Sequence, residues 1–292
     1  MLVAVASVKG SPGVSVFSLA LAACWPAPAR TLLIEADPSG GDVGVRMGMA
    51  TTPGLVSLAA AARHAEDLLV VWQHAQVLPL GLPVVAAPAD GDRARTALSA
   101  LTSEPGTGTR LVRAIASEAV VIVDCGRIEA GSPGLPLARC ADALILLSRA
   151  HAADLAHLAH RLPAIGGWTP QPVLLLVGNG YSPAEVAREL RVAPLGRIPD
   201  DPRGAALLCG RTIVRPGSRV LERSAVGGVA RKVATTLLAR RAIPIPRVVE
   251  QRLAPGLHVV PGVPTAAISA NGLKPAPQPF HEEIPSRGGR AS

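Results

Sequence analysis

An unbroken apolar run opens the chain, Leu2-Val3-Ala4-Val5-Ala6-Ser7, and leads into the turn Lys9-Gly10-Ser11-Pro12-Gly13-Val14-Ser15. Val16 to Cys24 then recurs apolar at helical spacing. A strand without polar alternation is one covered on both faces, which places it inside a layered sheet. Strand, glycine turn and helix N-terminus in that order make an anion site, because loop amides converge on the ligand and the helix dipole favours negative charge. A strand-turn-helix junction that binds nothing would show the same order of elements.

The rhythm repeats downstream. Strands are expected at Thr31 to Ala36, Leu82 to Pro88, Ala119 to Asp124, Ala143 to Leu147, Pro172 to Val177 and Pro194 to Pro199. Helices are expected at Leu55 to Arg63, Asp92 to Leu101, Arg110 to Ser117, Ala152 to Leu162, Pro183 to Leu190 and Val220 to Arg241. Leu68-Leu69-Val70-Val71-Trp72 fits either a strand or a helix. Alternation at this rhythm predicts an α/β fold, a doubly wound, mostly parallel sheet with helices on both faces. Ligands of such sheets sit at the carboxyl ends of the strands. After Pro244 the chain becomes proline-rich, so residues 1–243 read as one domain and 244–292 as an extended or disordered tail.

Composition sets outer bounds. With 292 residues the chain can bury a full core, and with aromatic residues at only 2% that core must be built from Ala, Val and Leu. The net charge of +8 rests on arginine apart from Lys9, Lys232 and Lys274, and permits loose affinity for nucleic acid or acidic lipid. Cys24, Cys125, Cys140 and Cys209 are widely spaced with no C-x-x-C pair, as expected of reduced thiols in a cytoplasmic protein. Lys9 and Gly10 interrupt the apolar start, and no stretch has the length of a membrane-spanning helix, so neither a leader nor a span is expected.

The opening turn resembles the deviant P-loop of the ParA/MinD ATPases, whose pattern begins Lys-Gly-Gly and ends Gly-Lys-Ser/Thr. Lys9 falls on that family's signature lysine, which reaches across a dimer to the partner's nucleotide. Gly13 falls on the last loop glycine and Ser15 on the magnesium-ligating hydroxyl. Gly10, Ser11, Val14 and Val16 complete the segment that wraps ATP or ADP. Asp37 matches the second acidic motif, and Asp124 the Walker B carboxylate that holds magnesium through water. Asn179 falls where relatives place a base-contacting residue. Leu195-Gly196-Arg197-Ile198-Pro199-Asp200-Asp201 is similar to the Leu-Gly-x-Ile-Pro-x-Asp segment of MinD relatives, which places Pro199 near the adenine. The resemblance covers residues 1–241.

One position departs sharply. Val14 stands where the family has its phosphate-binding lysine, and Pro12 removes an N–H from the loop. Hydrogen bonds to charged groups are worth roughly 1.5–3 kcal/mol each, so nucleotide binding should weaken without vanishing. Hydrolysis should suffer more, since phosphoryl transfer depends on stabilising developing charge.

Within the family, Asp37-Pro38-Ser39-Gly40-Gly41-Asp42-Val43-Gly44, with Met47-Gly48-Met49 and Pro53-Gly54-Leu55, looks like the matching stretch of the CpaE/TadZ pilus-assembly proteins. The N-terminal receiver-like domain common there is not expected from these 292 residues. The resemblance implies a nucleotide-dependent homodimer that positions a pilus, septum or partition complex, at the inner face of the membrane or on DNA. A scaffold that keeps the fold and binds no nucleotide is the competing expectation, and a DNA-binding accessory protein is the third.

Arg211, Arg215, Arg219 and Arg223 recur every four positions, but Pro216-Gly217 cuts the run, and a solvated surface accounts for them. Val226, Val229, Val233 and Leu237 form a stripe at helical spacing, read as core and not as a membrane-pressing face. His157 and His160 share a helix face without a third ligand, so metal chemistry beyond magnesium is not expected.

Overall fold

The computed structural model describes residues 1–242 apart from 27, 66, 104–106, 169–171 and 213–219, so the expected tail at 244–292 lies outside the described residues. In chain order the elements are β1 (Leu2–Ser7), α1 (Val14–Ala23), β2 (Thr31–Glu35), α2 (Val43–Arg46), α3 (Leu55–Ala61), α4 (Leu69–Gln73), β3 (Gln76–Val77), β4 (Pro83–Val85), α5 (Gly91–Thr102) and α6 (Thr107–Glu118). There follow β5 (Val120–Arg127), α7 (Leu135–Arg139), β6 (Ala143–Ala150), α8 (Ala152–Gly166), β7 (Pro172–Gly180), α9 (Pro183–Leu190), β8 (Gly196–Ile198), α10 (Pro202–Leu208) and α11 (Ala225–Ala242).

The strands form one sheet in the order β3-β4-β2-β5-β1-β6-β7-β8, parallel throughout except for the β3–β4 pair. The chain leaves β1 toward β2 on one side and later crosses from β5 over β1 to β6. The strand order therefore reverses around β1, and such a switch point is where an open α/β sheet leaves a crevice.

β1 shows why the apolar run had to be central. Every residue of it is buried. Leu2, Ala4 and Ala6 join the core beneath α3, α5, α6 and α8, whereas Val3 and Val5 join the core beneath α1, α10 and α11. Alternate side chains thus feed opposite layers, and both layers are apolar. Small and large residues alternate: in α1, Ala20 and Ala22 are buried beside Phe17, Leu19 and Leu21. On α11, Val226, Val233 and Leu237 are buried, so the stripe packs inward.

Local signals account for several helix starts. Ser182 accepts from the Glu185 amide at 3.3 Å while Glu185 accepts from the Ser182 amide at 2.7 Å, with Pro183 in the first turn of α9. Asp201 caps α10 through the Gly204 amide at 2.8 Å and also accepts from the Val226 amide of α11 at 3.0 Å. One carboxylate therefore joins two helices.

Four details settle, add to or alter the sequence-based expectation. Residues 69–73 are helix, resolving the open stretch, and the two-residue β3 runs antiparallel at the sheet edge. The short α2, α7 and α10 were not expected; each is too brief for its periodicity to rise above noise. α11 begins at Ala225, not Val220.

Candidate functional site

The carboxyl ends of β1, β2 and β5 meet in a cleft of about 410 Å³. Its walls include Ser7, Gly10, Ser11, Gly13, Val14, Ser15 and Val16 on one side, and Asp37, Asp42, Gly126 and two arginines, Arg46 and Arg127, on the other.

The glycine loop is shaped by left-handed backbone. Gly13 caps α1 with φ of 92°, and Gly10 has φ of 62°, a region that side chains disfavour. The amides of Gly10, Ser11 and Gly13 find no acceptor among the described residues. Those of Val14, Ser15 and Val16 open the helix, where no preceding turn can accept from them. Such a row of unpaired N–H groups at a helix start suits an anion. Val14 is buried at 6% exposure and joins the core with Phe17, so its hydrocarbon turns inward where a lysine would have brought charge.

The opposite wall is acidic and tightly braced. Glu35 and Asp124 stand in register on adjacent strands, and both are 1% exposed. Glu35 Oε1 accepts from the Asp42 and Val43 amides at 3.1 and 3.0 Å, and Oε2 from the Ala87 amide at 3.0 Å. It therefore ties the loop after β2 to the end of β4. Burial pushes its pKa up to about 7, with the Asp124 carboxylate adding to the rise and the three amides opposing it.

Asp124 Oδ1 accepts from the Gly126 amide at 3.0 Å, while Oδ2 is buried with no hydrogen-bond partner. Burial raises its pKa to about 6, and the neighbouring Ser15 hydroxyl and the Gly126 amide work the other way. An orphaned buried carboxylate oxygen beside a hydroxyl is a donor set suited to a hard divalent cation such as magnesium.

Asp37 is the third acid, its pKa raised by desolvation and held back by the Ser39 amide at 2.8 Å. Gly126, at φ of 56°, passes so close that a β-carbon there would lie 1.9 Å from Asp37 Oδ2. The backbone after β5 is thus wrapped against the acid from β2.

The structure gathers Gly10, Ser11, Gly13, Val14, Ser15, Val16 and Asp37 at one cleft, with Asp124 beneath it. Three expected residues stand apart. Lys9 is exposed and does not line the cleft. Asn179 and Pro199 are exposed at the ends of β7 and β8, side by side because Val177 pairs with Ile198, but the cleft does not extend to them. Beside them Arg197 donates to the carbonyls of Gly178 and Tyr181, bracing that turn.

Arg46, Arg127 and Ser7 also line the cleft and were not singled out from sequence, while Asp42, read there only as part of the Gly-Asp stretch, lines it too. Only the Asp42 and Arg46 spacing, four apart, offered a signal, and α2 had to be seen before that spacing meant anything. Arg211 and Arg223 are exposed, while Arg215 and Arg219 lie outside the described residues. No cluster of three or more metal-ligating side chains occurs among the described residues. None of the described helices is long and apolar enough to cross a membrane.

No family model matches the sequence, and no curated protein does. Solved structures do. A ParA family ATPase from Chlorobium tepidum TLS superposes with a TM-score of 0.65 at 16% identity, over 80% of this chain and 98% of that one. The cell division ATPase MinD of Pyrococcus furiosus gives 0.62 at 14% identity, over 82% and 98%. MinD of Pyrococcus horikoshii OT3, complexed with Mg-ADP, gives 0.61 at 14% identity, over 84% and 99%. The fold is that of the ParA/MinD ATPases.

Proposed function

We propose that this protein is a ParA/MinD-type nucleotide-binding protein with weak or absent ATP hydrolysis that positions a larger cellular machine. The observation that carries the reading is the cleft itself. Unpaired loop amides and the Ser15 hydroxyl face the acids from β2 and β5, and Asp124 Oδ2 lacks a partner. The amides of residues 10–16 would hold phosphate oxygens, while Ser15 and Asp124 would hold magnesium. Bound magnesium supplies neutralisation of phosphate charge. Asp37, kept in place by Gly126, orients a water on the open side of the cleft.

Without a lysine at position 14 the site holds a ground-state triphosphate better than it stabilises charge that develops on transfer. A long-lived nucleotide complex then serves as a dimer clamp, with exposed Lys9 free to reach a second copy. Asn179 and Pro199, exposed at the ends of β7 and β8, would be the residues nearest the base. Among machines, a pilus is preferred on the Gly40-Gly41-Asp42 stretch, with septum or chromosome positioning next. The working location is the cytoplasm, with transient contact to the inner membrane face or DNA.

Isothermal titration of the full chain with ATP and magnesium checks this. Binding in the micromolar to millimolar range is expected, with phosphate release near background that rises in Val14→Lys. No heat at millimolar nucleotide would leave the fold with a scaffolding role.

A further inference from the structure

The cleft has lost the lysine of its loop, yet it is not without cations. Arg46 and Arg127 both line it, and they come from elements that a P-loop pattern does not include. The two differ in how they are held. Arg127, at the end of β5, pairs with Glu129 two residues on, and its side chain is 56% exposed. Arg46, at 36%, is gripped from two separate elements.

One grip is local: Arg46 Nη2 meets the Asp42 carboxylate one helical turn earlier. The other is tertiary, for Nη1 reaches Cys209 Sγ at the end of α10 at 3.5 Å. The backbone after Cys209 is pressed against the same place. Gly210, at φ of 70°, leaves no room for a side chain; a β-carbon there would lie 2.7 Å from Met47 Sδ and 3.1 Å from the Arg46 carbonyl. A guanidinium offers five N–H donors in a rigid fork, and these two contacts leave most of them unused. Held at its side and open at its face, it has the geometry that binds phosphate oxygens in pairs.

We infer that Arg46 is the phosphate-binding cation of this site, supplying from α2 the positive charge that Val14 withholds. The inference rests on the nucleotide reading above and assigns the charge within it. The ligand class is a nucleoside triphosphate, whose terminal oxygens carry most of the charge to be matched. Because α10 holds the arginine, the site depends on the packing of α10 against α2.

The test measures affinity for ATP, ADP and adenosine with magnesium, on the full chain and on Arg46→Ala, Arg46→Lys, Arg127→Ala and the double variant Arg46→Ala/Val14→Lys. Thermal melting is followed in parallel. Arg46→Ala should weaken ATP about tenfold or more, the loss of a charge-assisted bond, and leave adenosine and the melting temperature unchanged. Arg46→Lys should recover part of the loss, the double variant most of it, and Arg127→Ala should have the smaller effect. Unchanged ATP affinity in Arg46→Ala, with the parent binding normally, overturns the assignment and leaves the nucleotide reading standing. Equal losses for all three ligands with a lowered melting temperature and no rescue by Val14→Lys also overturn it, making Arg46 a brace. A parent that binds no nucleotide ends both.

Discussion

The two walls of the cleft are built by opposite strategies. The acidic wall is buried and over-determined: Glu35 satisfies three backbone amides, Asp124 is covered by Gly126, and Asp37 lies against the same glycine. The glycine-loop wall is exposed from Lys9 to Ser11, and its amides are unspent. Three carboxylates brought together out of water repel one another and lose hydration, so they need rigid support. A row of amides awaiting an anion needs only the right backbone angles. The contrast is between a wall held by backbone angles alone, to which Val14 belongs, and a wall held by side-chain contacts between distant strands.

The sharpest way to break this contrast is to remove Glu35. Glu35→Ala strands the Val43 and Ala87 amides in the interior, and buried unpaired donors of this kind cost about 1–3 kcal/mol each. The variant should melt far below the parent in calorimetry. A melting temperature within a degree or two of the parent would mean that the wall is not held as described.

An intermediate effect is expected from pH. The pKa values of Glu35 and Asp124 are raised on folding, from 4.5 to about 7 and from 3.8 to about 6. The native state therefore keeps protons that the unfolded chain has already released, and stability falls as pH rises. The decline should begin near pH 4, steepen to pH 6 and level off above pH 7 in metal-free protein. It should be seen as a falling urea midpoint across that window, by an amount of order 1 kcal/mol or more per pH unit where one group is responsible. Asp124→Asn should flatten the lower part of the curve and abolish any stabilisation by magnesium with ATP. A midpoint that rises over the same window would contradict the buried acids.

The smallest effect belongs to the open wall. Lys9→Ala removes an exposed side chain without a partner among the described residues and should change stability by less than about 0.5 kcal/mol. Its consequence is expected in association, read by sedimentation with and without nucleotide. Destabilisation beyond 1 kcal/mol would show that the loop is braced after all.

Much of the fold was legible because parallel strands buried on both faces must be apolar throughout. Val120–Val123, Ala143–Leu147 and Val173–Leu176 announce themselves for that reason alone. The glycine loop, Ser15, Asp37 and Asp124 were legible because each sits at the end of such a strand or opens a helix. Arg46 was not, since a four-residue helix has no measurable period and its partner Cys209 is 163 positions away. Nor was the role of Glu35, whose acceptor work depends on where β4 ends.

By itself, then, the sequence determined the layered architecture and the list of acids at the strand ends, because burial and hydrogen-bond need act on every residue of a central strand. Only the tertiary structure decided which side chains share the cleft. It brought Arg46 in, left Lys9, Asn179 and Pro199 outside, and turned Val14 into the core. Those placements depend on contacts between distant segments, whose energies no local pattern encodes.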